Sequence, residues 1–159
     1  MSDILSDELY MSAAIKAAEK SIESDDVPVG AVIVRHGEII AEGNNTREKD
    51  GDATCHAELS AIRSACRALG GWHLTDCTMY VTLEPCPMCA GAIINSRIDK
   101  VVIGAHEPKG GAFGGALNLL EAPLNHKPQI VFGVSEESCS KMLTGFFREK
   151  RRRGKRWGD

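Results

Sequence analysis

Tyr80-Val81-Thr82-Leu83-Glu84-Pro85-Cys86-Pro87-Met88-Cys89 starts as an apolar strand-like run and turns at Pro85 into the opening of a helix. Pro87 suits a first helical turn, where its missing N–H is no loss and its φ is already helical. The pattern predicts a strand from Thr78 to Leu83 and a short helix through about Asn95. Cys86 and Cys89 stand at that helix start with two residues between them, a spacing that lets both sulfurs converge on one ion. About one helix and one strand earlier comes Cys55-His56-Ala57-Glu58, which adds an imidazole and an acid.

His56, Cys86 and Cys89 form an N,S,S set that suits zinc better than calcium or magnesium. A structural zinc takes four protein ligands and leaves no spare carboxylate, whereas a zinc that does chemistry keeps one position for water. Glu58 is the spare acid, two residues past the imidazole and placed to carry protons. Cys55 adjoins a ligand, but consecutive helical positions point about 100° apart, so it is not expected to join the set. Cys66 and Cys139 fall on apolar helical faces as small core residues.

The remaining pattern alternates helices and strands. Met11, Ile15, Ala18 and Ile22 recur at helical spacing after a possible cap at Ser6. Val29 to Val34 and Ile39 to Ala41 flank Arg35-His36-Gly37-Glu38 and predict a hairpin. Leu59, Ile62, Cys66 and Leu69 stripe a second helix that Gly70-Gly71 ends, with His56 and Glu58 in its first turn. Two helix N-termini thus aim partial positive charge at one site, which favours thiolates. Val101 to Gly104 and Ile130 to Val134 read as buried strands, with a short helix near Leu117 to Leu120 between them. The last helix opens at Ser135 and carries Cys139, Met142, Leu143, Phe146 and Phe147 on one face. These elements predict a three-layer α/β domain on a mixed sheet of about five strands, the first pair antiparallel.

With 159 residues, 43% apolar and 26% charged, the chain reads as one ordinary globular domain. Its acidic opening has no signal-like apolar region and no run is long enough to span a membrane, so a cytoplasmic location is expected. The net charge of −3 hides a division. Residues 1–147 hold 12 Lys and Arg against 20 Asp and Glu, while residues 148–159 hold 7 basic and 2 acidic side chains. Such a basic end is either a phosphate footprint or a solvated tail. We divide the chain into a zinc-dependent domain over 1–147 and a basic helix end and tail over 148–159, within the same domain. Gly110-Gly111-Ala112-Phe113-Gly114-Gly115 lacks the Lys and Ser/Thr of a phosphate-binding loop, so no nucleoside triphosphate is expected.

His-x-Glu followed by Pro-Cys-x-x-Cys is the signature of zinc-dependent nucleobase deaminases. Over nearly its whole length the chain resembles the bacterial tRNA-specific adenosine deaminases, which convert a wobble adenosine to inosine. The resemblance is carried by Val27-Pro28-Val29-Gly30-Ala31-Val32, Cys55-His56-Ala57-Glu58 and Tyr80 through Ala92, then by Ser96-Arg97-Ile98 and Phe146-Phe147-Arg148. It implies the cytidine deaminase-like α/β/α fold, one zinc per subunit, a tRNA anticodon stem-loop as substrate and a homodimer. It also implies that Asn45 contacts the flipped base, that Val29 and Leu83 wall the pocket, and that Phe147 and Arg148 meet the anticodon loop. Taken from the residues alone, Asn45 is equally a turn residue, Val29 and Leu83 equally core, and at least one of Phe146 and Phe147 core.

After the fourth strand the family pattern G-A-x-D-P-K-x-G-A becomes Gly104-Ala105-His106-Glu107-Pro108-Lys109-Gly110-Gly111-Ala112. Glu107 replaces an Asp that would meet the ribose or a flanking nucleotide, Lys109 is a candidate phosphate contact, and Gly115 replaces a usual Ser. The zinc motif alone leaves three alternatives open: a guanine or cytosine deaminase of the same superfamily, a catalytically inactive zinc-stabilised RNA-binding module, and a Cys-x-x-Cys redox protein.

Overall fold

A computed structural model describes residues 3–154. Five strands form one sheet in the order β2-β1-β3-β4-β5. β1 (Gly30–Arg35) and β2 (Glu38–Asn44) make the expected hairpin, with a register shift between Ile33 and Val34. β3 (Cys77–Leu83) is antiparallel to β1, while β4 (Lys100–Ala105) and β5 (Gln129–Phe132) continue in parallel. The antiparallel part is thus one strand wider than the expected hairpin, because the α3 (Ala57–Leu69) connection returns β3 alongside β1 pointing the opposite way.

Alternation along the strands divides the core into two layers. Ala31, Ile33, Met79, Val81, Val101 and Ile103 face α3 and α4 (Pro87–Asn95). Val32, Val34, Tyr80 and Val102 face α1 (Asp3–Ile22) and α5 (Glu136–Arg152), where Met11 and Cys139 are wholly buried. The result is the expected three-layer α/β/α arrangement.

Local departures have physical causes. α1 begins at Asp3, so Ser6 lies inside it and caps nothing. Its buried face runs through Met11, Ala14, Ala17, Ala18 and Ser21, while Ile22 is exposed at the end of the last turn. In α3 the small residues Ala57, Ala61 and Ala65 are buried beside Ile62, and Leu59, Cys66 and Leu69 are half-buried. β5 is the sheet edge and only half-buried, unlike β4, which is buried from residue 101 to residue 105. A one-turn helix, α2 (Arg47–Asp50), was not legible in the apolar pattern because none of its residues is buried.

Small residues let the helices lie close. A Cβ on Gly30 would strike the Ala14 carbonyl and the Ala18 N–H of α1, and one on Gly43 would strike the Ala57 carbonyl and the Ala61 N–H of α3. Backbone cannot yield as a flexible side chain can. Gly30→Ala and Gly43→Ala are each expected to cost roughly 1–3 kcal/mol, several degrees of melting temperature for a chain of this size. Gly145→Ala, where an added Cβ meets nothing within 4 Å, is expected to leave the melting temperature unchanged or raised. Thermal unfolding of the three variants checks this.

Candidate active site

Two helix starts meet at the C-terminal end of the sheet. His56 is the N-cap of α3, and Cys86 is the N-cap of α4, with Pro87 following it. Cys89 lies one turn into α4 and is fully buried. His56 Nδ1 lies 3.6 Å from Cys86 Sγ and 3.5 Å from Cys89 Sγ. All three ligand atoms fall within 4.8 Å of one another.

These separations test the metal expected from sequence. Zn–S bonds of about 2.3 Å and Zn–N bonds of about 2.0–2.1 Å at a tetrahedral angle put sulfur and nitrogen about 3.6 Å apart. The residues therefore fit zinc. Among the described residues this is the group of three His, Cys, Asp or Glu side chains with ligand geometry, and Cys55 is outside it.

Electrostatics agree with that use. The Cys89 hydrogen bond, opposed by burial and helped by His56, lowers the Cys86 pKa to about 4. The same bond raises Cys89, together with burial and the nearby Glu58 charge. His56 is raised, chiefly by its bond to Cys86 and against desolvation. Negative charge thus settles first on Cys86, and coordination to a dication would deprotonate the second thiol as well.

Glu58, in the first turn of α3, is 3% exposed. Burial raises its pKa to about 7, against the opposing pull of its own backbone N–H and His56. Its Oε1 is buried without a hydrogen-bond partner among the described residues. A buried carboxylate oxygen left unpaired is costly and marks a group that meets its partner only when something else is bound.

His56 and Glu58 open onto a cavity of about 710 Å³. The structure brings most of the sequence-predicted site residues to it: Val29, Asn45, Leu83, Glu107, Lys109 and Phe147 all line it. Arg148 does not. It is exposed on the next position of α5. Phe146 is buried and meets Phe147 edge-on at 5.4 Å, so the two aromatics divide between core and cavity.

Asn45 combines both readings open to it. Its Nδ2 donates to the Val27 carbonyl at 3.0 Å and its Oδ1 accepts from the Arg47 N–H at 3.1 Å, as a turn residue would. One N–H and one lone pair remain for a ligand. Sequence reasoning missed six other lining residues, Val27, Arg47, Ala57, Glu84, Gly110 and Leu143. Arg47 reaches the cavity from α2, whose Glu48 and Lys49 N–H groups donate to the fully buried Asp26 carboxylate. No sequence signal marked it, because only the fold reveals that Asp26 is buried beneath α2.

The basic end of the chain is partly structural. Lys150 is 7% exposed, lies 3.8 Å from the Asp25 carboxylate and sits over the Phe146 ring. Arg153 pairs with Asp25 at 2.8 Å and Arg152 with Glu149 at 2.6 Å. Arg148 and Arg151 are exposed and make no ion pair among the described residues. Lys155 and Arg156 lie outside the described residues. No helix among the described residues is long and apolar enough to cross a membrane.

Comparison with known proteins agrees with this geometry. Residues 5–105 match the cytidine and deoxycytidylate deaminase zinc-binding region. A tRNA-specific adenosine deaminase of Bacillus subtilis (strain 168) is 55% identical over 94% of this chain and 93% of its own. A structure solved in work on A-to-I editing by tRNA:A34 deaminases at the wobble position of transfer RNA is 40% identical. It superposes with a TM-score of 0.81 over 85% of this chain and 99% of that one. Guanine deaminase from Bacillus subtilis is 42% identical, with a TM-score of 0.60 over 67% of this chain and 66% of that one.

Proposed function

Because the chain belongs to the tRNA-specific adenosine deaminases, within the cytidine and deoxycytidylate deaminase zinc-binding family, we propose that it hydrolyses the wobble adenosine of a tRNA anticodon to inosine and ammonia. The observation that carries this reading is the unpaired Glu58 Oε1, buried beside an N,S,S ligand set at a cavity large enough for a base.

His56 Nδ1, Cys86 Sγ and Cys89 Sγ would hold the zinc, one ion per subunit. Bound there, zinc supplies Lewis acidity that brings the pKa of water from about 16 to about 7. Glu58 takes a proton from the attacking water and delivers it to N1 of adenine as oxygen adds at C6. It then moves the remaining proton of that oxygen to the exocyclic amino group, the C6–N bond breaks, and ammonia leaves.

The cavity residues are assigned by position. Val29 and Leu83 wall the base, and the unused N–H and lone pair of Asn45 take its edge. Glu107 faces the ribose or a flanking nucleotide, Lys109 a phosphate, and Phe147 stacks on an unpaired base, an interaction worth about 1–3 kcal/mol. Arg148 meets the phosphates outside. We infer a single zinc-dependent deaminase domain over 1–147 whose basic helix end and tail, 148–159, serve the anticodon stem-loop. We also infer a homodimer, a cytoplasmic location and no use of nucleoside triphosphates.

The test is incubation with an anticodon stem-loop carrying adenosine at the wobble position, and separately with free guanine and cytosine. Inosine in the RNA and no ammonia from either base is the expected result. Ammonia from guanine with unaltered RNA would transfer the chain to the guanine deaminases, to which it is also similar. Salt dependence checks the outer contacts. Arg148→Ala and Arg151→Ala should each lower the slope of log affinity against log salt by about 0.7–1. Lys150→Met should leave that slope unchanged and lower the melting temperature, because Lys150 is held by Asp25.

A further inference from the structure

Glu84 stands between the end of β3 and the Cys86 N-cap of α4, 3% exposed, and the reaction described above does not use it. Its carboxylate gathers the loop that follows β4. Oε1 accepts from the Glu107 N–H at 3.0 Å, and Oε2 accepts from the N–H groups of Phe113 at 3.1 Å and Gly115 at 2.9 Å. The neighbouring Pro85 carbonyl accepts from the Ala112 N–H at 2.9 Å. Within the loop, the Glu107 side chain accepts from the Lys109 N–H at 3.1 Å.

The loop is shaped around this anion. A Cβ on Gly111 would collide with the Glu84 carboxylate, and one on Gly115 would collide with the Glu107 carbonyl and come within 2.9 Å of Glu84 Oε2. Gly115 in place of the expected Ser therefore has a physical reason in this chain, since the loop closes too tightly on Glu84 for a side chain. The segment so held carries Glu107, Lys109 and Gly110 into the cavity that His56 and Glu58 share. A charged acceptor with several backbone donors is stronger than a neutral one and fixes backbone position more tightly.

We propose that Glu84 is a positioning residue that sets substrate affinity by holding the 107–115 loop as the nucleotide-facing wall of the cavity. It does so from the strand end that also leads into the metal-bearing helix. The proposal rests on the substrate reading above. Its alternative is that Glu84 merely braces α4 and the ligand cysteines.

The experiment compares wild type, Glu84→Gln, Gly115→Ala and the double variant on the wobble-adenosine stem-loop. KM and kcat are measured separately, zinc content is determined, and hydrogen exchange is followed at residues 107, 113 and 115. Gln keeps the shape but turns one acceptor oxygen into a donor, while Ala pushes the loop off from the other side. The expected result is a KM raised roughly tenfold or more in each single variant. kcat should stay within about threefold, zinc content should be unchanged, and the three amides should lose protection. The double variant should be no worse than the weaker single one, because both release the same loop. A kcat that falls with KM unmoved, or zinc lost in step with activity, overturns the proposal in favour of the brace. Should Glu84→Gln not fold, Gly115→Ala carries the same comparison. Wild type that forms no inosine sinks the substrate reading and this proposal with it. Wild-type inosine with KM unmoved in the variants sinks the proposal alone.

Discussion

Glu58→Gln is expected to keep its fold and its zinc while turnover falls by about a hundred- to ten-thousandfold. The amide has nearly the same shape, so the first turn of α3 and its 3% exposure are retained. None of the three ligand atoms is altered, since they belong to His56, Cys86 and Cys89. What disappears is the capacity to take a proton from water and hand it to N1 and then to the leaving nitrogen. Binding of the stem-loop should change by far less than turnover, so KM should stay close to wild type. Metal analysis, circular dichroism and a single-turnover inosine assay together check the outcome. Turnover within a few-fold of wild type would remove Glu58 from the chemistry as the proton shuttle.

The zinc set was legible because each of its members depends only on local order. Cys86-x-x-Cys89 at a helix start converges whatever the rest of the chain does, and His56 with Glu58 needs only the cap and first turn of α3. The strands were legible where apolar residues run together, as at Ala31 to Val34, and less so at β5, whose apolar composition hides an edge position. Glu84 was not legible as a positioning group, because its donors lie more than twenty residues away in a loop with no periodicity. The basic end misleads in the opposite direction. Lys150 and Arg153 look like free phosphate contacts in sequence, yet both are taken by Asp25 in the turn after α1. Charge counts report composition, whereas availability depends on what the fold brings opposite.

Withdrawal of the metal is expected to have the largest effect on stability. His56 and the two cysteines tie the starts of α3 and α4 to one another, and the folded chain alone presents them in that geometry. Free zinc at a thousand times its dissociation constant stabilises the folded state by about 4 kcal/mol. Its removal by chelation should therefore lower the melting temperature by roughly 10 °C for a chain of this size. Cys89→Ala should reproduce that loss without chelator, and chelation should then have no further effect on the variant. Titration of Glu58 supplies a second readout in metal-free protein. Its pKa is raised by burial from 4.5 to about 7, so between those values the folded chain holds a proton that the unfolded chain has released. Stability from this group is present below about pH 4.5 and is lost as pH rises towards 7. Cys86, lowered to about 4, acts with the opposite sign over the same range and is common to wild type and Glu58→Gln. The difference in melting temperature between metal-free Glu58→Gln and metal-free wild type reports Glu58 together with its charge coupling to His56 and Cys86, and it should widen in favour of Gln from pH 5 to pH 8. A constant difference across that range would mean that Glu58 is not desolvated as its burial requires.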